Sequence, residues 1–230
     1  MVTINPPRTN QQDSRLFEAL SARRSSTRLE AALAAGTRPE TVEPAVLVAR
    51  CAVETDFYVR DMLTWAITRH PADITVPLLL AELRTAGSQA RSQALHTLSK
   101  IGDARAWPEI TADLLRDPDD EVARSAWRAA VVLVPEDQEQ DLAETLVSQL
   151  GRGDREMQRS LSRALVEIGE AAEAALRTAR TTGDPAAYAH AEATERLISD
   201  PDSTFELDVE KAKRIVALGE LRRSELDADR

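Results

Sequence analysis

Residues suited to a helix core recur along this chain with the period of an α-helix, and the pattern is repeated five times. Each repeat starts with an Asp or Gly that is followed three residues later by the first core position. The starting residues are Asp56, Gly87, Asp119, Asp154 and Asp184. The first core positions are Val59, Ala90, Val122, Met157 and Ala187, at intervals of 31, 32, 35 and 30 residues. A nearly fixed period of this length predicts stacked helix pairs.

Further core positions follow four and eight residues after the first one. The second row is Leu63, Ala94, Ala126, Leu161 and Ala191. The third row is Ile67, Leu98, Ala130 and Leu165, followed by Glu195, where the pattern fails. Residues with this spacing share one face of a helix. Asp at the start of a repeat predicts an N-cap, and Gly102 and Gly169 are predicted to end two of the helices.

The segments before the repeats predict three more helices. Residues 1–12 contain Pro6 and Pro7 among polar residues, and we expect this segment to be disordered. A first helix is predicted from Asp13 or Ser14 to about Ala22. A second helix begins at Ser25 or Ser26 and stops at Gly36, and a third runs from about Glu40 to Ala52.

The segment after Pro201 departs from the repeat pattern. Ser203 or Thr204 is predicted to cap a last helix that ends at about Asp227. Two roles are open for this helix. It either shields the last repeat as a terminal cap or serves as an arm that docks on a partner or on a second copy.

Two phrases carry a resemblance to a known family. Asp56-Phe57-Tyr58-Val59-Arg60 and Asp117-Pro118-Asp119-Asp120-Glu121-Val122 resemble the second helix of HEAT repeats, in particular the bacterial HEAT-like set that includes phycobilisome-lyase-type repeats. The resemblance covers roughly residues 38–200. It implies an all-α fold. The expected architecture is an α-solenoid of about five helix pairs over residues 13–202, with flanking terminal helices, the last of which lies within residues 203–230. The matching positions are core and cap positions, so they indicate a fold rather than a function.

Composition supports helices and restricts the partners. Of 230 residues, 43% are hydrophobic and only 3% are aromatic, so the core is expected to consist of Ala, Leu, Val and Ile. The net charge of −10 disfavours binding to nucleic acid and to anionic membranes unless charge is segregated by face. No apolar run is long enough to span a bilayer and no signal peptide is evident, so we expect a cytoplasmic protein.

No motif for catalysis or for cofactor binding is present. His70, His96 and His190 lie on different repeats, and no spacing typical of a metal site occurs. The acidic cluster at 117–121 lacks the central Gly of a calcium loop, so we predict a solvated turn and a helix cap. The single cysteine, Cys51, has apolar neighbours and is expected to be buried. We therefore expect neither a metal nor a cofactor.

The outward positions of the second helices predict a partner-binding surface. In HEAT arrays these helices line the concave side, so the resemblance implies that their outward residues share one groove. The predicted groove residues are Arg60, Trp65, Arg91, His96, Arg124, Trp127, Arg128, Arg159 and Arg163. Arg and Trp side chains suit recognition by bidentate hydrogen bonds and flat contact area. The alternative is that these arginines are struts between repeats and that the tryptophans pack between helices.

These observations lead to two main functional hypotheses. The first is a non-enzymatic scaffold that binds another protein through its concave surface. The alternative is a nucleic-acid-associated protein, either a transcription-linked regulator or an enzyme similar to the HEAT-like AlkD-like DNA glycosylases. The charge of −10 counts against the alternative. A third hypothesis, a chaperone similar to chromophore lyases, depends on the repeat resemblance alone. The partner and the oligomeric state are left open.

Overall fold

The protein is all-helical over the residues that can be described. The computed structural model describes residues 9–85, 87–181 and 184–228. Within these ranges there are α-helices and three short 3-10 segments, and no β-strand. None of the helices described combines the length and the apolar character needed to cross a membrane. The all-α prediction is therefore confirmed.

Two compact units divide the chain at residue 109. The N-terminal unit comprises residues 1–109. Its helices are α1 (Thr9–Leu20), α2 (Ser25–Thr37), α3 (Pro44–Val53), α4 (Phe57–Thr68), α5 (Ala72–Glu82) and α6 (Ser88–Ile101). The 3-10 segments Pro39–Thr41 and Ala104–Glu109 complete it.

The C-terminal unit comprises residues 110–230. Its helices are α7 (Ala112–Leu115), α8 (Asp120–Leu133), α9 (Glu139–Val147), α10 (Arg155–Ile168), α11 (Glu170–Ala179), α12 (Pro185–Ser199) and α13 (Val209–Ala228). A 3-10 segment, Glu136–Gln138, precedes α9.

Both units consist of helix pairs, and the same contacts recur from one pair to the next. In the N-terminal unit α3 packs on α4 and α5 on α6, while α3 also contacts α5 and α4 contacts α6. In the C-terminal unit α7, α9 and α11 pair with α8, α10 and α12, and neighbouring pairs again contact through equivalent helices. Within each unit, a second helix is thus covered both by its own partner and by a neighbouring second helix.

The predicted starts and stops of the second helices are confirmed. Asp56, Asp119, Asp154 and Asp184 are the N-caps of α4, α8, α10 and α12, and in each case the carboxylate accepts backbone N–H groups of the first turn. Asp56 Oδ1, for example, accepts from the N–H groups of Tyr58 and Val59 at 3.0 and 3.2 Å. Gly87 precedes α6 without a side-chain cap. Gly102 and Gly169 have φ of 69° and 71°, the left-handed region that ends these helices without strain.

The predicted core rows are buried with few exceptions. All five members of the second row and all four apolar members of the third are buried. Ala187, in the first row, is only partly buried. Glu195, where the pattern fails, is half-buried and pairs with Arg180 at 2.8 Å. The core is rich in Ala and Leu, as the composition predicts, and includes Cys51.

Three of the predicted N-terminal boundaries are wrong, and one of them is the start of α3, which begins at Pro44 and not at about Glu40. Helix α1 begins at Thr9, so residues 9–12, expected to be disordered, form its first turn, and residues 1–8 lie outside the described residues. Gly36 does not stop α2, because it lies inside the helix and is buried. A Cβ atom there would lie 2.1 Å from Cζ3 of Trp65. Gly36 therefore serves the close approach of α2 to α4.

The last helix begins later than predicted. Helix α13 starts at Val209, where Asp208 Oδ1 accepts the N–H of Lys211 at 2.8 Å, and not at Ser203 or Thr204. The segment 203–208 is not helical, and its Phe205 is buried. The first half of α13 packs on α12 through Ala212, Val209 and Val216, so this half covers one side of α12.

Candidate functional site

The predicted groove residues of the N-terminal unit mostly serve its own packing. Arg60 Nη1 donates to the carbonyl oxygens of Glu54 and Thr55 at 3.0 and 2.9 Å. Arg91 Nη1 donates in the same way to the carbonyl of Thr85 at 3.0 Å. Both guanidinium groups bind carbonyls of the loop that precedes their own helix, where backbone acceptors lack helical partners.

Trp65 is exposed, as a groove position requires, whereas His96 is less accessible. The ring of Trp65 lies over Gly36 of α2, and 38% of the residue is exposed. His96 is half-buried on α6. Trp65 therefore packs on α2 with one side of its ring and keeps part of its surface accessible.

Trp127 is fully buried, and the prediction that it is accessible is wrong. Its exposed fraction is 0%, and its Nε1–H donates to the carbonyl of Leu115 at 2.8 Å. The equivalent positions Thr64, Leu95 and Ser162 are buried as well. These positions lie five residues after the first core position of each repeat. A second helix with neighbours on several sides buries a wider face than a single stripe, and this row falls within it.

Arg124 joins two helices of the C-terminal unit. Its Nη1 pairs with Glu121 at 3.0 Å and its Nη2 with Glu156, in the first turn of α10, at 2.9 Å. The strut alternative is thus correct for this residue. Arg128, one turn later, donates to the carbonyl of Arg124 and to Ser125 Oγ, both at 3.3 Å. Burial lowers the pKa of Arg128 below its ordinary value, and the neighbouring Arg124 adds to this effect.

Arg159 and Arg163 differ from the other predicted groove residues. Both are exposed on α10, and neither forms a hydrogen bond or ion pair with any residue that the structure describes. They lie four residues apart, on one face of the helix and about 6 Å apart along its axis. Their guanidinium groups are available to a ligand.

A cleft of about 440 Å³ lies beside these two arginines. We call it the arginine cleft. Apolar side chains of α10, of the end of α12 and of the loop after it form its walls. It is lined by Arg159, Arg163, Val166, Glu167, Leu197, Pro201, Ser203 and Phe205. Sequence reasoning identified the two arginines but missed the wall that the 201–205 loop supplies.

The loop that closes the arginine cleft is held by three contacts. Phe205 packs edge-on against the ring of His190, with 5.7 Å between the ring centres. Arg155 Nη2 donates to the carbonyl of Phe205 at 2.7 Å, and Arg196 Nη2 donates to the carbonyl of Glu206. The cleft wall is therefore anchored to α10 and α12.

Ser203 supplies a polar group in this wall. Its Oγ is shielded from solvent and has no hydrogen-bond partner among the described residues. A buried hydroxyl without a partner is costly, and a ligand acceptor in the cleft would satisfy it. The cleft thus offers two guanidinium groups, a hydroxyl donor and an apolar wall, with Glu167 as the carboxylate in its lining.

A buried polar network underlies the cleft wall, and sequence reasoning missed it apart from the position of His190. His190 Nδ1 accepts the N–H of Gly151 at 3.0 Å, so the proton is assigned to Nε2, which faces the carbonyl of Gln158 at 2.9 Å and Ser162 Oγ at 3.0 Å. Ser162 Oγ also bonds Thr194 Oγ1 at 2.7 Å. Burial lowers the pKa of His190 to about 4, so the ring is neutral at pH 7.

A second buried cluster, also missed, lies in the N-terminal unit. The carboxylate of Glu54 has an exposed fraction of 0% and accepts from Arg28 at 2.6 and 2.7 Å and from Arg50 at 2.6 Å. It also accepts the N–H of the cap residue Asp56 at 2.9 Å. An acidic residue two positions before the cap recurs at Asp117, which accepts the N–H of Asp119 at 2.9 Å. That spacing is the sequence signal for it.

Several other predicted features have structural roles. The acidic cluster at 117–121 forms the α8 cap and its ion pairs, including Arg152 to Asp120 at 2.7 Å. Burial raises the pKa of the Cys51 thiol to about 11, so it stays protonated at pH 7. Among the described residues no three His, Cys, Asp or Glu side chains are grouped to hold a metal ion.

Comparison with known proteins adds no assignment. No protein-family model matches the chain, and neither does any of the curated proteins. The resemblance to HEAT repeats remains a prediction from the residues themselves.

Proposed function

We propose that this chain is a non-enzymatic HEAT-like solenoid that binds an acidic segment of another protein, with the arginine cleft as its site. The observation that carries the proposal is the pair Arg159 and Arg163, exposed on one helix face without partners among the described residues and adjacent to an apolar wall. Most other arginines predicted to bind a partner are engaged in internal contacts, which leaves this pair as the candidate.

The spacing of the two arginines suits an extended peptide. Residues i and i+2 of an extended chain point to the same side and lie about 6.6 Å apart, close to the separation of about 6 Å along α10. Two carboxylates at alternate positions could each meet one guanidinium through bidentate hydrogen bonds. An apolar side chain of the same peptide would lie against Leu197 and Phe205, while Ser203 Oγ donates to a peptide carbonyl.

The nucleic-acid alternative has less support. Binding a duplex requires many phosphate contacts, whereas the chain carries a net charge of −10 and Arg124 is already paired with two carboxylates. A protein ligand needs only a small number of guanidinium contacts together with apolar burial. Both features favour a peptide over DNA or RNA.

A displayed library of random decapeptides, selected on the full chain, tests the proposal. We expect enrichment of peptides with Asp or Glu at alternate positions beside a Leu, Ile or aromatic residue. The enrichment should disappear on the Arg159→Glu, Arg163→Glu double variant. The matched control is Arg38→Glu with Arg69→Glu, which makes the same charge change at exposed positions of the N-terminal unit and should leave selection unchanged.

Two results would contradict the proposal. One is equal peptide enrichment on the wild-type chain and on the cleft variant when circular dichroism shows both folded. The other is that the wild-type chain is retained on duplex DNA at low salt and the cleft variant is not. This result would show that the cleft binds nucleic acid, as the alternative hypothesis states. Heparin would not separate these cases, because it is a general polyanion.

A further inference from the structure

A second concave surface lies in the C-terminal unit, between α9 and α11, and the proposed function does not use it. We call it the α9–α11 groove, and its volume is about 750 Å³. Val147 and Leu150 form one apolar side, and Ala174, Ala175 and Thr178 form the other. The small side chains on α11 allow another helix to approach closely.

The groove is acidic. Glu144 and Asp184 both line it. Asp137, Glu139 and Asp141 precede Glu144 on the same segment. On the α11 side, Arg177 pairs with Glu173 at 3.4 Å, so its charge is largely offset. A ligand for this surface therefore combines apolar side chains with positive charge.

Helix α13 presents that combination beyond the part that covers α12. Its first half packs on α12, but Leu218 is 59% exposed and Ile215 37% exposed. Arg214 is exposed and lies one turn before Leu218, on the same face of the helix. The exposed face of α13 thus combines two apolar side chains with a guanidinium group.

We infer that the exposed face of α13 docks in the α9–α11 groove of a second copy of this chain. Leu218 and Ile215 would lie on the Ala and Val floor, while Arg214 meets the carboxylate of Glu144. Groove and arm occur once in each chain, so a twofold dimer forms both contacts at once and closes without free sites. The two possible roles of the last helix then both hold: its first half is a cap and its exposed face is an arm.

The oligomeric state of the full chain tests this inference. Sedimentation velocity across a range of protein concentrations should show a monomer–dimer equilibrium that shifts toward monomer at high salt, because charge pairs near the surface are screened. Leu218→Glu should shift it to monomer as well. Val132→Glu is the matched control, since Val132 is 53% exposed on α8 of the same unit, and it should leave the dimer intact.

A charge-reversal pair identifies the two surfaces. The arm variant carries Arg214→Glu, and the groove variant carries Glu144→Arg. Each variant alone should be at least tenfold weaker in self-association, since like charges meet in both contacts. An equimolar mixture should recover a heterodimer, because one contact is then wild-type and the other has both charges reversed.

Three outcomes would overturn the inference. A monomer at all concentrations is one. The second is a dimer that persists unchanged in Leu218→Glu and in both charge variants. The third is a mixture of the two charge variants that does not associate although both show wild-type helix content and melting. None of these outcomes bears on the arginine cleft, so the two proposals fail or stand separately.

Discussion

Removal of the Glu54 carboxylate should destabilise the N-terminal unit more than any surface change. The Glu54→Ala substitution leaves the buried guanidinium of Arg28, whose side chain is 9% exposed, without its bidentate partner. It also removes one partner of Arg50 and the acceptor of the Asp56 N–H. The affected groups lie on α2, on α3 and at the start of α4, so the contact between these helices is weakened directly.

The magnitude follows from two independent arguments. Breaking a buried ion pair by removing one partner costs about 3–5 kcal/mol. Burial alone raises the pKa of Glu54, but hydrogen bonds from Arg28, from the Asp56 N–H and from Arg50 outweigh it and lower the pKa from 4.5 to about 2. This difference corresponds to about 3 kcal/mol. Because the folded pKa is the lower one, this stabilisation is complete above pH 4.5 and is lost as the pH falls toward 2.

Urea denaturation followed by circular dichroism at pH 7 and at pH 3 measures the effect. We expect Glu54→Ala to lower the free energy of unfolding by about 3–5 kcal/mol at pH 7 and to show a smaller loss at pH 3. Glu109→Ala is the control, because it breaks the exposed pair with Arg84 and should cost at most about 1 kcal/mol. If both variants lose the same amount, the buried cluster is not a major source of stability.

Two further predictions concern Gly36 and His190. Gly36→Ala should destabilise by about 1–3 kcal/mol through overpacking against Trp65, despite the better helix propensity of Ala, and should red-shift tryptophan fluorescence; a more stable variant would contradict the close approach of α2 and α4. His190 has a folded pKa of about 4 against 6.5 unfolded, so stability should be constant above pH 6.5 and fall by about 3 kcal/mol as the pH drops to 4. Urea titrations across this range check it, and His190→Asn should flatten the decline; an unchanged slope would exclude His190 as its source.

The arginine cleft was only partly predictable. The outward positions of Arg159 and Arg163 follow from helical periodicity, but the wall opposite them comes from the non-helical 201–205 loop, which lies about 40 residues later in the chain. The position of that loop is set by contacts such as Phe205 on His190. No sequence pattern specifies a contact of this kind, because it depends on how α12 and the loop pack.

The sequence by itself determined the starts of the Asp-capped second helices and the buried rows of this protein. Asp56 caps α4 because its carboxylate accepts the backbone N–H groups two and three residues later, a contact within one short segment. Leu161 is buried because helical geometry places it on the same face as the other core residues of α10. Only the tertiary structure decided which outward residues stay exposed. Trp127 is covered because its indole N–H meets the end of α7, and Gly36 is needed because a ring from α4 occupies the space of its side chain. Such outcomes depend on distances between helices, which the order of residues along one helix does not contain.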